Sequence, residues 1–225
     1  MKINEFFQKG YYINLDRRTD RRAEFEQEVK RIGLEGFFER VPGVDGSNEP
    51  SELKKHNYCG ASYAKIFKDA NEKGYERFLI FEDDVQFFDR DGVSGLELIE
   101  KALDQLQKFP DWDMIYFGCY TFDKTIYHVS ENLISANQIL TTHAIGYNKK
   151  GMHMYLQYNP FFHCPIDGWL GERKELTKYI VYPLAVIQRE SRSDLDAWGW
   201  APNAFHWDEN FIKKHSKLIQ TFEIE

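Results

Sequence analysis

The chain has 225 residues, 29 basic and 36 acidic, giving a net charge of −7, and 42% of its side chains are hydrophobic. A chain of this length can build a core without disulfides, and its 18 Phe and 13 Tyr exclude a disordered polymer. The acidic balance excludes a broad nucleic-acid-binding surface, because neutralising a phosphate backbone takes clustered Lys and Arg. Cys59, Cys119 and Cys164 are odd in number and lack the spacing of a zinc or redox motif, so they read as reduced thiols of a cytoplasmic protein. No signal-peptide pattern opens the sequence, and no run of about 18 apolar residues could cross a bilayer. Any membrane contact is therefore expected to be peripheral.

In chain order, the apolar run 11–15 follows Gly10 and leads into a charged segment where Ala23, Phe25, Val29 and Ile32 recur at near-helical spacing. That is a strand, then a helix. Asp16 or Thr19 is placed to cap the helix and Gly33 to end it. Arg40 and Val41 give a second short strand that runs into a turn at Pro42, Gly43, Asp45 and Gly46. A polar loop is expected over 48–55, then a helix over 61–71 with Tyr63, Ile66, Phe67 and Ala70 on one face, stopped by Gly74. The unbroken apolar run 78–81 suits a strand covered on both faces. Helices over 96–106 and 150–158 and strands over 114–117, 141–147 and 179–187 complete the series. This alternation, without internal repeat or linker, predicts one α/β domain over 1–225, with a mixed, mostly parallel central sheet flanked by helices.

Glu82, Asp83 and Asp84 are three consecutive carboxylates at the end of the strand 78–81, where packing gives no reason for them. Ligands of open α/β sheets collect at the carboxyl ends of strands, and hard divalent cations bind carboxylate oxygens while leaving positions that phosphate can take. A metal–diphosphate site fits; a solvated acidic turn is the alternative. Arg17, Arg18, Arg21 and Arg22 stand at the start of the first helix, where positive charge is unfavourable unless something negative is near. Either Asp16, Asp20 and Glu24 neutralise them as surface pairs, or one or two face a diphosphate. If the first strand neighbours the one ending at Glu82, both features border one crevice. Asp167 follows Pro165 and has Phe161, Phe162 and Trp169 nearby, flat faces of the kind that stack on sugar rings, although an Asp before Gly is also a common turn former. His143 and His206 could complete a metal shell or serve as hydrogen-bonded structural residues. Glycine-rich phosphate loops, nucleophile elbows and paired-histidine helices are missing from the sequence, which excludes P-loop, α/β-hydrolase and zincin chemistry.

Read together, Tyr12-Ile13-Asn14-Leu15-Asp16-Arg17-Arg18 with Arg21-Arg22, Val41-Pro42-Gly43-Val44-Asp45-Gly46, Cys59-Gly60-Ala61-Ser62, and Leu79-Ile80-Phe81-Glu82-Asp83-Asp84-Val85 resemble glycosyltransferase family 25. That family includes lipooligosaccharide and lipopolysaccharide biosynthesis transferases and collagen galactosyltransferases. Asp111-Trp112-Asp113-Met114-Ile115-Tyr116, Thr142-His143-Ala144-Ile145-Gly146-Tyr147, Pro165-Ile166-Asp167, and Pro183 with Gln188 and Ser191-Arg192-Ser193-Asp194 look like its later blocks. The resemblance spans about residues 10–195 and leaves 196–225 as a tail without an assigned role. Tyr63 departs from it where the family usually has His, and Tyr58 where it usually has Gly, which bears on specificity.

The resemblance implies a GT-A-like fold, a UDP-sugar donor that is most often UDP-galactose, a Mn²⁺ or Mg²⁺ cofactor, and a glycan, lipid-linked sugar or protein acceptor. On this basis Glu82, Asp84 and His206 are the metal candidates. Asn14, Leu15 and Asp45 contact uridine, Arg18 or Arg22 faces the diphosphate, and Asp83 and Ser62 join the nucleotide-sugar contacts. Asp167 removes the acceptor proton, with inversion. Glycosyl transfer passes through an oxocarbenium-like centre while the leaving diphosphate gathers negative charge, so a cation, arginines and a base are the groups it needs. A catalytically inactive member that binds a sugar or a partner is the competing reading. A two-metal phosphohydrolase would need further clustered carboxylates and histidines.

Overall fold

The apolar runs near the start of the chain become β1 (Lys9–Asn14) and β3 (Arg77–Glu82), parallel neighbours in register from Lys9↔Phe78 to Ile13↔Glu82. The computed structural model describes residues 1–48, 52–90, 92–121, 126–160, 165–189, 191, 194 and 220–221. Alternate residues of a strand face opposite ways, so β3 feeds two apolar layers. Phe78 and Ile80 join the layer under α3 (Glu52–Glu72), α5 (Lys149–Tyr155) and α6 (Ile166–Gly171), with Tyr63, Phe67, Tyr155 and Trp169. Phe67 stacks on Tyr155 with ring centroids 3.7 Å apart. Leu79 and Phe81 join the opposite layer, under α1 (Ile3–Phe6), α2 (Thr19–Arg31) and α4 (Gly95–Leu106), with Phe6, Phe25, Ile99 and Leu103.

The remaining strands are β2 (Phe38–Pro42), β4 (Val85–Phe87), β5 (Met114–Tyr116), β6 (Tyr120–Thr121), β7 (Tyr127–Ser130), β8 (Leu133–Ser135), β9 (Ile139–Leu140), β10 (Ala144–Asn148), β11 (Lys178–Val181), β12 (Val186–Gln188) and β13 (Gln220–Thr221). Nine of the strands form one sheet in the order β13-β7-β8-β11-β5-β10-β3-β1-β2, while β12 pairs with β4 and β6 with β9. The large sheet is mixed, and four of its eight neighbouring pairs are parallel, so parallel pairing makes up half rather than most of it. Among the described residues no helix is long and apolar enough to cross a membrane.

Several predicted boundaries move. The segment expected as a loop over 48–55 already belongs to α3 from Glu52 onward. Gly60 lies inside that helix, and a Cβ there would sit 2.7 Å from Tyr158 Oη, so close packing rather than a break requires the glycine. The segment over 141–147 is strand only from Ala144; Thr141 has φ 66°, a left-handed conformation no strand residue adopts. The strand expected over 179–187 is two strands, β11 and β12, with the cis Tyr182–Pro183 peptide between them. Arg18 occupies the N-cap position of α2 without a side-chain cap bond, and Thr19 is the first helical residue.

The chain runs from β1 through α2 to β2 on one side, then through α3 to β3 on the other side of β1. Such a reversal opens a crevice at the carboxyl ends of the two central strands, which here are Asn14 and Glu82.

Candidate active site

A cleft of about 280 Å³ occupies that crevice, lined from β1 and its loop by Leu15 and Arg17, from α2 by Arg21 and from β3 by Glu82 with Asp83 and Asp84. Val44 and Asp45 from the turn after β2, Ser62 and Tyr63 from α3, and Thr141, Gln188 and Asp194 close its other walls. The arginine-rich start of α2 and the acidic end of β3 therefore border the same cleft.

Arg21 reaches the acidic triplet directly, with Nη1 3.1 Å from Asp83 Oδ1 and 3.3 Å from Asp84 Oδ2. Its position follows from helical phase. Arg21, Phe25 and Val29 are four residues apart on the buried face of α2, whereas Arg22 and Glu26 face out and pair with each other at 2.8 Å. Of the two arginines expected to face a diphosphate, Arg18 or Arg22, the helix phase turns Arg22 away from the cleft, and Arg21 lines it instead. Arg18 is not a cleft-lining residue; it pairs with Asp20 and, through Nη1 at 2.6 Å, with Asp194. Arg17 lines the cleft and bonds both Asp45 and Asp194 at 2.8 Å. Arg17 and Arg21, which sequence reasoning places in the arginine cluster without choosing them, and Asp194, which enters it only within a family block, line the cleft; the four-residue spacing from Arg21 to Phe25 was the available signal for Arg21.

Asn14 is 1% exposed and does not line the cleft. Its side chain donates to Asp83 Oδ2 at 2.7 Å and to the Arg18 carbonyl at 2.9 Å, and accepts from Arg40 Nε at 2.9 Å. The side chain of Asn14, whose contact with uridine is expected through backbone groups, is thus a buried hub that fixes Asp83 and the start of α2. Leu15 and Asp45 do line the cleft. Ser62 Oγ lines it too, accepting from the Val44 amide at 2.8 Å and donating to the Tyr58 carbonyl at 3.0 Å, which ties the turn after β2 to α3.

Burial raises the pKa of all three acidic groups. At Glu82 the charge of Asp84 adds to burial; at Asp83 and Asp84 the Arg21 guanidinium opposes it. Glu82 Oε1 accepts from Tyr63 Oη at 2.7 Å and from Thr142 Oγ1 at 3.0 Å, so it organises the wall between α3 and the segment before β10. Tyr63, where the resemblance leads to an expectation of His, thereby meets Glu82. Asp84 Oδ1 is buried with no hydrogen-bond partner among the described residues.

Asp167 is placed beside the cleft rather than on its lining. Its Oδ1 accepts from the Gly168 amide at 2.8 Å and its Oδ2 from the Thr141 amide at 3.4 Å, and its charge adds to burial and to Glu82 in raising the pKa of the Cys59 thiol on the cleft wall. His143 is 1% exposed and precedes β10 without lining the cleft. His206, Phe161, Phe162 and Cys164 lie outside the described residues. Among the described residues no group of three or more His, Cys, Asp or Glu side chains is arranged to hold a metal ion. Mn²⁺ and Mg²⁺ are commonly held by one or two carboxylates, with waters and substrate phosphates completing the shell, so the unpartnered Asp84 oxygen beside Asp83 is a donor set that fits either ion.

The description of glycosyltransferase family 25 (LPS biosynthesis protein) matches residues 7–167. Procollagen galactosyltransferase 2 of Homo sapiens is 26% identical over 224 residues, covering 87% of this chain and 34% of that protein. The Mus musculus protein of the same name is 27% identical over 227 residues, with the same shares. The chain thus spans about a third of the length of these relatives. Among solved structures, a glycosyltransferase involved in glycosylation of the major capsid of PBCV-1 superposes with a TM-score of 0.45 at 13% identity, over 76% of this chain and 80% of that one. UDP-glucose pyrophosphorylase complexed with UDP-glucose gives 0.45 at 12% identity, over 92% and 81%.

Proposed function

Because this chain belongs to glycosyltransferase family 25, we propose that it transfers a hexose, galactose first among the candidates, from a UDP-sugar to a hydroxyl of a glycan, lipid-linked sugar or protein, with inversion. The observation that carries this reading is the juxtaposition of Arg21 with Asp83 and Asp84 on the lining of one cleft, with a further carboxylate, Asp167, beside the cleft and bonded to the amide of the lining residue Thr141.

Leu15, Val44 and Asp45 form the uridine side of the cleft, and the Asn14 side chain fixes Asp83 and the start of α2. Arg17 and Arg21 face the diphosphate and neutralise charge as it builds on the leaving group. Asp84, with Asp83 beside it, would hold Mn²⁺ or Mg²⁺, and the chemistry that ion supplies is further neutralisation of the leaving diphosphate. Asp167 takes the proton of the acceptor hydroxyl as it attacks from the face opposite the diphosphate. The two bonds its carboxylate accepts from Thr141 and Gly168 orient it and leave lone pairs for that proton. The inactive-binder reading gives no role to a buried carboxylate oxygen left without a partner.

The test is turnover of several UDP- and GDP-sugars, with and without Mn²⁺. Asp167→Asn is expected to bind UDP as the parent does and to lose about 10²-fold or more in turnover, the usual share of a general base. Hydrolysis or transfer of no UDP-sugar under any metal condition would remove the proposal.

A further inference from the structure

Thr141 combines three features that no structural role explains together. It is a β-branched residue at φ 66°, a conformation with a steric cost. Its side-chain Oγ1 is buried, with no hydrogen-bond partner among the described residues. It also lines the cleft. Glycine would adopt the same backbone without strain, so the threonine side chain has to be useful for something other than the turn.

Its neighbours say where it acts. The Thr141 amide donates to Asp167 Oδ2 at 3.4 Å, and the next residue, Thr142, donates through Oγ1 to Glu82 at 3.0 Å. Thr141 therefore stands between the carboxylate that faces the acceptor and the acidic end of β3 that faces the diphosphate. In an inverting transfer the migrating sugar must lie between those two places. On the function proposed above, we infer that Thr141 is a donor-sugar specificity residue: its hydroxyl hydrogen-bonds a hydroxyl of the transferred hexose, and the left-handed backbone aims it there. On this reading the sugar is the partner that the hydroxyl does not find among the described residues, and a buried polar group left unpaired is costly enough to make the discrimination sharp.

Calorimetry with UDP and with UDP-galactose, both in the presence of Mn²⁺, separates this from a structural role. Thr141→Val removes the hydroxyl and keeps the shape; it should weaken UDP-galactose about tenfold while UDP stays within twofold, and Thr141→Ser should restore sugar binding. Thr141→Gly, which relieves the backbone, should melt no lower than the parent and show the same selective loss. Equal weakening of UDP and UDP-galactose, or unchanged sugar affinity in both the Val and Gly variants, overturns the assignment. A parent chain that binds neither UDP nor UDP-galactose overturns the glycosyltransferase reading itself, and with it the role of Thr141; a parent that binds both while the variants do not discriminate overturns Thr141 alone.

Discussion

At Arg21 a guanidinium with only 10% of its side chain exposed lies against two carboxylates exposed by 9% and 6%. Removing one partner of such a buried set leaves the others uncompensated, so Arg21→Gln should cost about 3 kcal/mol of unfolding free energy at neutral pH. Arg22→Gln, which breaks an exposed pair with Glu26, should cost less than about 0.5 kcal/mol and leave UDP affinity unchanged. Urea unfolding of the two variants side by side checks both statements; equal losses would show that the buried pair is not a unit. The four arginines are alike in composition and near one another in sequence, and only the helical phase fixed by Phe25 and Val29 tells them apart. His143 gives a second expectation at this scale. Burial lowers its pKa from 6.5 to about 4, against a smaller opposing pull from the Val186 backbone. A histidine neutral in the fold and protonated when unfolded contributes stability that is present above the unfolded value and is lost as pH falls toward the folded one. Between pH 7.5 and pH 5 that loss amounts to about 2 kcal/mol. Glu82 and Asp84, raised by burial, act with the opposite sign over the same window, so the measurement is a difference. The pH 7.5 to 5 change in unfolding free energy should be about 2 kcal/mol less destabilising in His143→Leu than in the parent.

Elements explain why the cleft is where it is. β1, β3 and the two large helices of the first half were legible because their apolar residues recur with the period of a strand or of a helix, and each has a wide buried face. The acidic triplet was legible as a site for the same reason, since carboxylates that interrupt a buried run have no packing role. What the sequence hid are contacts made between short segments distant in the chain. The β12–β4 ribbon is an example: its three-residue strands carry no period of their own, and it is fixed by the Ala185 and Val186 amides donating to the Phe117 carbonyl at 3.0 and 3.1 Å. Gly118 makes that approach feasible, because a Cβ there would collide with the Val186 carbonyl oxygen and the His143 ring. Gly118→Ala should therefore destabilise by about 1–3 kcal/mol through overpacking, although its backbone would tolerate alanine elsewhere. Since β12 ends at Gln188 on the cleft wall, UDP affinity should fall with stability in this variant; a fully stable Gly118→Ala protein would show that the ribbon can shift. Thr141 was hidden in another way. Its neighbours read as strand, and only the backbone shows the left-handed turn.

At the scale of the whole molecule, the cleft is assembled from β1, α2, the turn after β2, α3, β3 and the segments before β10 and after β12, so a ligand filling it links most of the fold. Binding to the folded state alone raises stability by RT ln(1 + [L]/Kd), about 2.7 kcal/mol at a hundredfold excess, which for a chain of this size is about 5–10 °C in Tm. If Asp84 and the nucleotide diphosphate share one cation, UDP and Mn²⁺ bind each other's complexes more tightly than the free protein, and their stabilisations exceed additivity. UDP with Mn²⁺ should then raise Tm by several degrees more than the two separate shifts together, with GDP giving less if, as proposed, Leu15, Val44 and Asp45 of the cleft lining take the uridine. Asp84→Asn should fold, since it removes a carboxylate whose ionised form burial disfavours, and should abolish the excess while retaining part of the shift due to UDP alone through Arg17 and Arg21. Strictly additive shifts in the parent would instead mean that nucleotide and metal occupy independent sites, as in a protein that binds a nucleotide without activating its diphosphate to leave.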